Sequence, residues 1–242
     1  TELKRKIALT ALPNDSQVRF DETSAGIVEE RLRKLAWLTD VVVETTTKGV
    51  LISADYRRPI ALVELPASHG AARYYLSEEK VVLDYVPMDT LPIVRITGIA
   101  DLSIPAIGQV WRRDDVSAAI AILQKLNSMD HTIIRRGEPP LLSEIESIDV
   151  ANLDGRRDGQ SPHIVLHAKD GTQILWGARL GMSARYMEAN DEEKLVMLYM
   201  FFEQPRASGG KPTIQGRVKY VELRIPRGSI PRPTIPRDDV SD

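Results

Sequence analysis

Two β-branched runs split by a glycine turn restrict the fold more than any other feature of this chain. Val41 to Thr47 is β-branched at nearly every position, Lys48-Gly49 supplies a turn, and Val50 to Tyr56 follows at strand length, so the segment predicts a β-hairpin. The pattern recurs downstream. Tyr74 to Leu76 and Val81 to Tyr85 flank Ser77-Glu78-Glu79-Lys80 as a second hairpin, and Leu91 to Ile96 reads as a strand ending at Gly98. Ile145 to Val150, Ile164 to Ala168 and Thr172 to Trp176 predict a three-stranded meander, the last two strands joined through Lys169-Asp170-Gly171.

Between these strands the apolar period lengthens from two to 3.6. Ile27, Val28, Leu32 and Leu35 mark a helix over residues 24–38, with Asp21, Thr23 and Ser24 as candidate caps. Val116, Ala119, Ile120, Leu123 and Leu126 share one face of a helix from near Asp114 to near Met129. Asn190 and Glu193 have capping-box spacing ahead of a stripe of Leu195, Leu198, Tyr199 and Phe202 that stops at Pro205. A strand around Arg5 to Leu9 is expected to precede the first helix. The sum is an α+β fold. At 242 residues it divides into a small α/β unit over 1–66 and a larger mixed-sheet domain with packed helices over 67–225, separated by the small-residue stretch from Pro66 to Ala72. Residues 226–242 hold four prolines, three arginines and three aspartates, too little apolar surface to pack, and predict a disordered tail.

Composition removes most chemistries. No cysteine is present, which excludes disulfides, thiolate nucleophiles and cysteine-ligated metals. A formal net charge of -2 supplies no basic field for nucleic acid. The longest apolar run, Leu195 to Phe202, is eight residues, whereas a spanning helix needs about 20. His163 and His167 have metal-ligand spacing only if helical; on a strand they stand roughly 13 Å apart at about 3.3 Å per residue. His69 and His131 lie in loop-like stretches. Ser208 to Thr213 fails as a phosphate loop because Pro212 stands where a hydroxyl must reach magnesium. Gly181 to Arg185 lacks the second glycine of a nucleophile elbow, and Arg156 and Arg157 occupy positions where a calcium loop needs acidic ligands. The pairs Arg57-Arg58, Arg112-Arg113, Arg135-Arg136 and Arg156-Arg157 read as solvated charge. With no nucleophile, base and oxyanion donor assembled, the residues favour binding or scaffolding over catalysis.

The order of segments resembles the extracytoplasmic part of the FtsQ/DivIB cell-division family. A helix ending in Leu35-Ala36-Trp37-Leu38 before a β-branched strand is similar to that family's helix, Pro-Trp-Val and strand, with Ala36 in place of the proline. Arg57-Arg58-Pro59-Ile60-Ala61 resembles the segment closing its POTRA domain, and Leu91 to Gly98 the opening of its β domain. Ile133 to Asp149 and His167 to Gly177 follow in the same order, and Tyr220-Val221-Glu222-Leu223-Arg224 is similar to its terminal Tyr-Val-Asp-Leu-Arg strand. The stretch from Ile7 to Phe20 is short for that family's first strand plus first helix.

The resemblance implies a POTRA-like domain followed by a β domain, with a membrane anchor preceding Thr1 and a place on the periplasmic side of the inner membrane. It implies no catalysis, no cofactor and no small-molecule ligand, but a hub that recruits FtsB-like and FtsL-like membrane coiled-coil proteins. Alternatives are a POTRA-type adaptor of outer-membrane transport and a hydrolase whose carboxylates meet only in the fold. As the last strand before the tail, Val218 to Ile225 is expected at a sheet edge, where an incoming strand can pair with it. Val218, Tyr220, Glu222 and Arg224 are expected on one face, and Lys219, Val221, Leu223 and Ile225 toward the core. Tyr199 is expected to add a second wall of partner contact, and Arg227, Gly228 and Ile230 to extend the ladder beyond Pro226.

Overall fold

The computed structural model describes residues 2–11, 22–47, 49–66, 70–87, 91–135 and 137–226. It is α+β, with a two-stranded sheet and a mixed sheet of eight strands. Two compact units interleave along the chain. The first comprises residues 1–59, 64–90 and 103–111, and the second residues 60–63, 91–102 and 112–242.

In the first unit, α1 (Glu2–Ala11) and α2 (Glu22–Arg33) lie against a hairpin of β1 (Leu38–Thr46) and β2 (Gly49–Tyr56). The strand expected at Arg5 to Leu9 is therefore helical. Its residues are strong helix formers, and Ile7 and Ala11, four apart, reach the core while Leu9 stays exposed. Thr23 and Ser24 fall inside α2 rather than before it, and Asp21 lies outside the described residues.

The hairpin is antiparallel, with Val43 opposite Ile52 and Glu44 opposite Leu51. A register shift between Thr39 and Val42, with Asp40 at φ 49°, inserts one residue and turns Val41 and Val43 onto the helix side. There they join Ala25, Leu32 and Leu38 in a core bordered by Val28, Leu35, Val50 and Ala54.

A second hairpin of the first unit joins β4 (Arg73–Ser77) to β5 (Val82–Asp84), following β3 (Pro59–Glu64) in the chain. Trp37 is buried against it, donating from Nε1 to Asp84 at 3.1 Å and meeting Tyr75 edge-on at 6.0 Å. Lys6 also pairs with Asp84. A cut after residue 66 therefore strips Trp37 of both partners.

The second unit holds six strands of the larger sheet in the order β10-β9-β8-β7-β6-β3. These are β6 (Val94–Thr97), β7 (Ile145–Asp149), β8 (Ile164–Ala168), β9 (Gln173–Gly177), β10 (Tyr220–Glu222) and β3. β7, β8 and β9 form the expected antiparallel meander, whereas β3–β6, β6–β7 and β9–β10 are parallel. Parallel pairs need crossovers: α3 (Asp114–Ile133) supplies the one between β6 and β7, α4 (Asp191–Glu203) the one between β9 and β10, and the chain between β3 and β6 includes β4 and β5.

α3 buries Val116, Ala119, Ile120, Leu123 and Leu126 as its periodicity predicts. α4 starts with a complete capping box: the Asn190 side chain accepts from Glu193 N at 2.9 Å, and Glu193 accepts from Asn190 N at 3.0 Å. Each such cap is worth about 1 kcal/mol.

Candidate partner-binding edge

β10 is the last strand of its sheet, and among the described residues no strand lies on its other side. Its ladder to β9 runs from Gln173 N to Lys219 O at 3.0 Å to Leu223 N to Leu175 O at 3.2 Å. The alternation that follows points the backbone of Lys219, Val221 and Leu223 toward β9 and that of Tyr220, Glu222 and Arg224 outward. Val221 and Leu223 are buried and Tyr220, Glu222 and Arg224 half-buried, as the period of two predicts.

The alternation fails at both ends. Val218 is buried and Lys219 exposed, because Val218 leaves a turn over residues 215–217 and its carbonyl is held by Thr172 Oγ1 at 3.0 Å. Ile225, expected toward the core, is half-buried at the rim of a cleft.

The outward groups of Arg224 are already engaged. Its N–H donates to Glu222 Oε1 at 3.0 Å, and its carbonyl accepts from Ala189 N at 2.7 Å. Its guanidinium forks onto the Glu222 carboxylate at 2.8 and 2.9 Å, a charge-assisted pair that raises the Arg224 pKa. The segment before α4 thus ties down the far end of β10.

A buried ion pair fixes that segment. Glu188 accepts from Ala178 N at 2.8 Å and from Lys194 at 2.6 Å, and the Lys194 ammonium is fully buried 5.7 Å from the Trp176 ring centre. Gly177, at φ 88°, leaves the room required, since a Cβ there would overlap both the Glu188 carboxylate and Arg224 Cγ.

A cleft of about 440 Å³ opens beside this end of β10, lined among others by His163, Tyr186, Met187, Arg224, Ile225 and Pro226. Met187 is 87% exposed and left-handed at φ 55°. His163 is buried, meets Tyr186 edge-on at 4.3 Å, and its Nδ1 finds no hydrogen-bond partner. Burial lowers its pKa and favours the neutral ring.

Tyr199 corrects an expectation. It is 3% exposed, and its hydroxyl lies at hydrogen-bond distance, 2.8 Å, from both Leu126 O and Asp130 Oδ1, so it cannot offer a partner a wall of contact. The stripe of α4 already marked it as inward-facing; its Asp130 partner, 69 positions away, left no local signal. Arg227, Gly228, Ile230 and the rest of the tail lie outside the described residues, as does His69.

Sequence reasoning also missed two buried carboxylates on α3. Burial pushes the Asp115 pKa up, but hydrogen bonds from Arg113, Ala100 N and Val116 N outweigh it and bring it down to about 2. Asp130 accepts from Leu141 N and Leu142 N at 3.0 Å, yet burial dominates and its pKa is raised. Each carboxylate is occupied by its own donors, and neither lines the cleft.

Among the described residues no group of three acidic or histidine side chains is placed to hold a metal ion, and no helix is long and apolar enough to cross a membrane. No protein-family model matches the chain, and no curated protein is significantly similar to it.

Proposed function

We propose that this protein is a non-catalytic scaffold of bacterial cell division on the periplasmic side of the inner membrane. It recruits FtsB-like and FtsL-like coiled-coil proteins by adding a strand of the partner beside β10. The observation that carries this reading is the place of β10 at the end of the sheet order. Backbone pairing supplies affinity in such a complex, and flanking pockets supply specificity. Any added ladder is bounded at the far end of β10, because the Ala189 bond to Arg224 O stands in the way there and Pro226 has no N–H to give. The cleft then takes partner side chains at Ile225 and Tyr186.

The test is the affinity of the full chain for an FtsB-like peptide. Tyr220→Ala and Ile225→Lys are each expected to weaken binding about tenfold, roughly 1.4 kcal/mol. Unchanged affinity in both folded variants rejects strand addition at this edge.

A further inference from the structure

The first unit carries a second edge, independent of the binding reading above. β1 and β2 form a sheet of their own, and no described residue pairs with the outer edge of β2. Edge strands of monomeric proteins are normally protected by charge, proline or a bulge. β1 has such protection in Asp40, Glu44 and its register shift, but Val50 to Ala54 of β2 contains neither charge nor proline. Leu51 is 55% exposed, Ile52 39% and the neighbouring Val42 48%.

We propose that β2 pairs with β2 of a second copy of this chain, antiparallel about a two-fold axis at Ile52. The period of two limits the register to axes through a residue, because residues directly opposite must share a face, and only an axis at Ile52 pairs all of Val50 to Ala54 with one another. Val50, Ile52 and Ala54 share the helix-side face, with Leu51 and Ser53 on the other. Centred on Ile52, the pairing sets Ile52 against its own copy, Leu51 against Ser53 and Val50 against Ala54. Five consecutive uncharged residues meet, and Asp55 falls opposite Gly49. A parallel arrangement would instead set Asp55 against Asp55, like charges directly opposite. Two-fold closure uses up the edge of β2 on both copies, which is why a second copy rather than an open chain of strands fits here.

The absence of cysteine makes the test direct, since any introduced thiol is the only one. Ile52→Cys, facing itself, is expected to form an interchain disulfide on mild oxidation, because directly opposed strand residues stand about 4.5–5.5 Å apart at Cα, within disulfide reach. Ser53→Cys, facing Leu51, is expected to remain largely unlinked. Light scattering of the full chain should give twice the 27.0 kDa of one copy, falling to one copy in Ser53→Lys and Ile52→Lys with unchanged circular dichroism. A single-copy mass at every concentration overturns the proposal. So does a doubled mass that survives both lysine variants, or Ser53→Cys linking as readily as Ile52→Cys.

Discussion

The two units hold themselves together by different means. Around the first hairpin the core is apolar throughout, built from Ala25, Leu32, Leu38, Val41 and Val43. Among the described residues of the first unit no charged side chain is fully buried, whereas the second unit buries Asp115, Asp130, Glu144 and Lys194. Each of these ties separate segments together. Asp130 joins α3 to the turn at Leu141–Glu144 and to α4, Glu144 accepts from Ile214 N at 2.8 Å, and Lys194 joins α4 to Glu188. Apolar contact is non-directional, so it lets the hairpin fold while leaving an edge unsealed. Buried charge demands a partner at one geometry, and in the second unit it ties the segment beside β10 in place.

Breaking the Glu188–Lys194 pair should have the largest effect. Lys194→Met is expected to cost about 3–5 kcal/mol in urea unfolding, because it leaves a desolvated carboxylate without its cation. The double variant with Glu188→Gln should recover part of the loss, and no recovery would show that the pair acts only through packing.

Asp115 comes next. Its folded pKa of about 2 lies below the ordinary 3.8, so its contribution is fully present above 3.8 and lost as pH falls through 2. That difference amounts to about 2 kcal/mol. Asp115→Asn should therefore be destabilised at neutral pH, with the gap from the wild type closing in acid. Asp130 runs the other way. Its folded pKa is raised, so its contribution is present below 3.8 and lost as pH rises through the folded value. The stability difference between wild type and Asp130→Asn should shift against the wild type over that range. The smallest effect belongs to the first unit: Leu51→Thr, on the open face of the hairpin, should stay within about 0.5 kcal/mol in dilute solution.

The strands and helices were legible wherever one local rule decided them. The hairpin over residues 41–56 announced itself by β-branching and glycine, and α4 by the Asn190–Glu193 box. Arg5 to Leu9 misled because Ile7 and Leu9 alternate like strand residues, while the contact that decides the matter pairs Ile7 and Ala11 across one helical turn. Among the described residues β10 stands at the end of the sheet order, but the condition of that edge was not legible in the chain. The bonds from Ala189 to Arg224 and from Tyr199 to Asp130 span 35 and 69 positions and obey no short-range pattern. Buried polar partnerships are satisfied in three dimensions, which is why the closed end of β10 and the burial of Tyr199 were invisible in the chain.

Amide hydrogen exchange on the full chain, with and without an FtsB-like peptide, tests the central claim most directly. Strand addition predicts that the change in protection on binding is concentrated along β10, over residues 220–222, rather than on another surface. Saturating binding that leaves β10 unchanged while protecting another surface would contradict it.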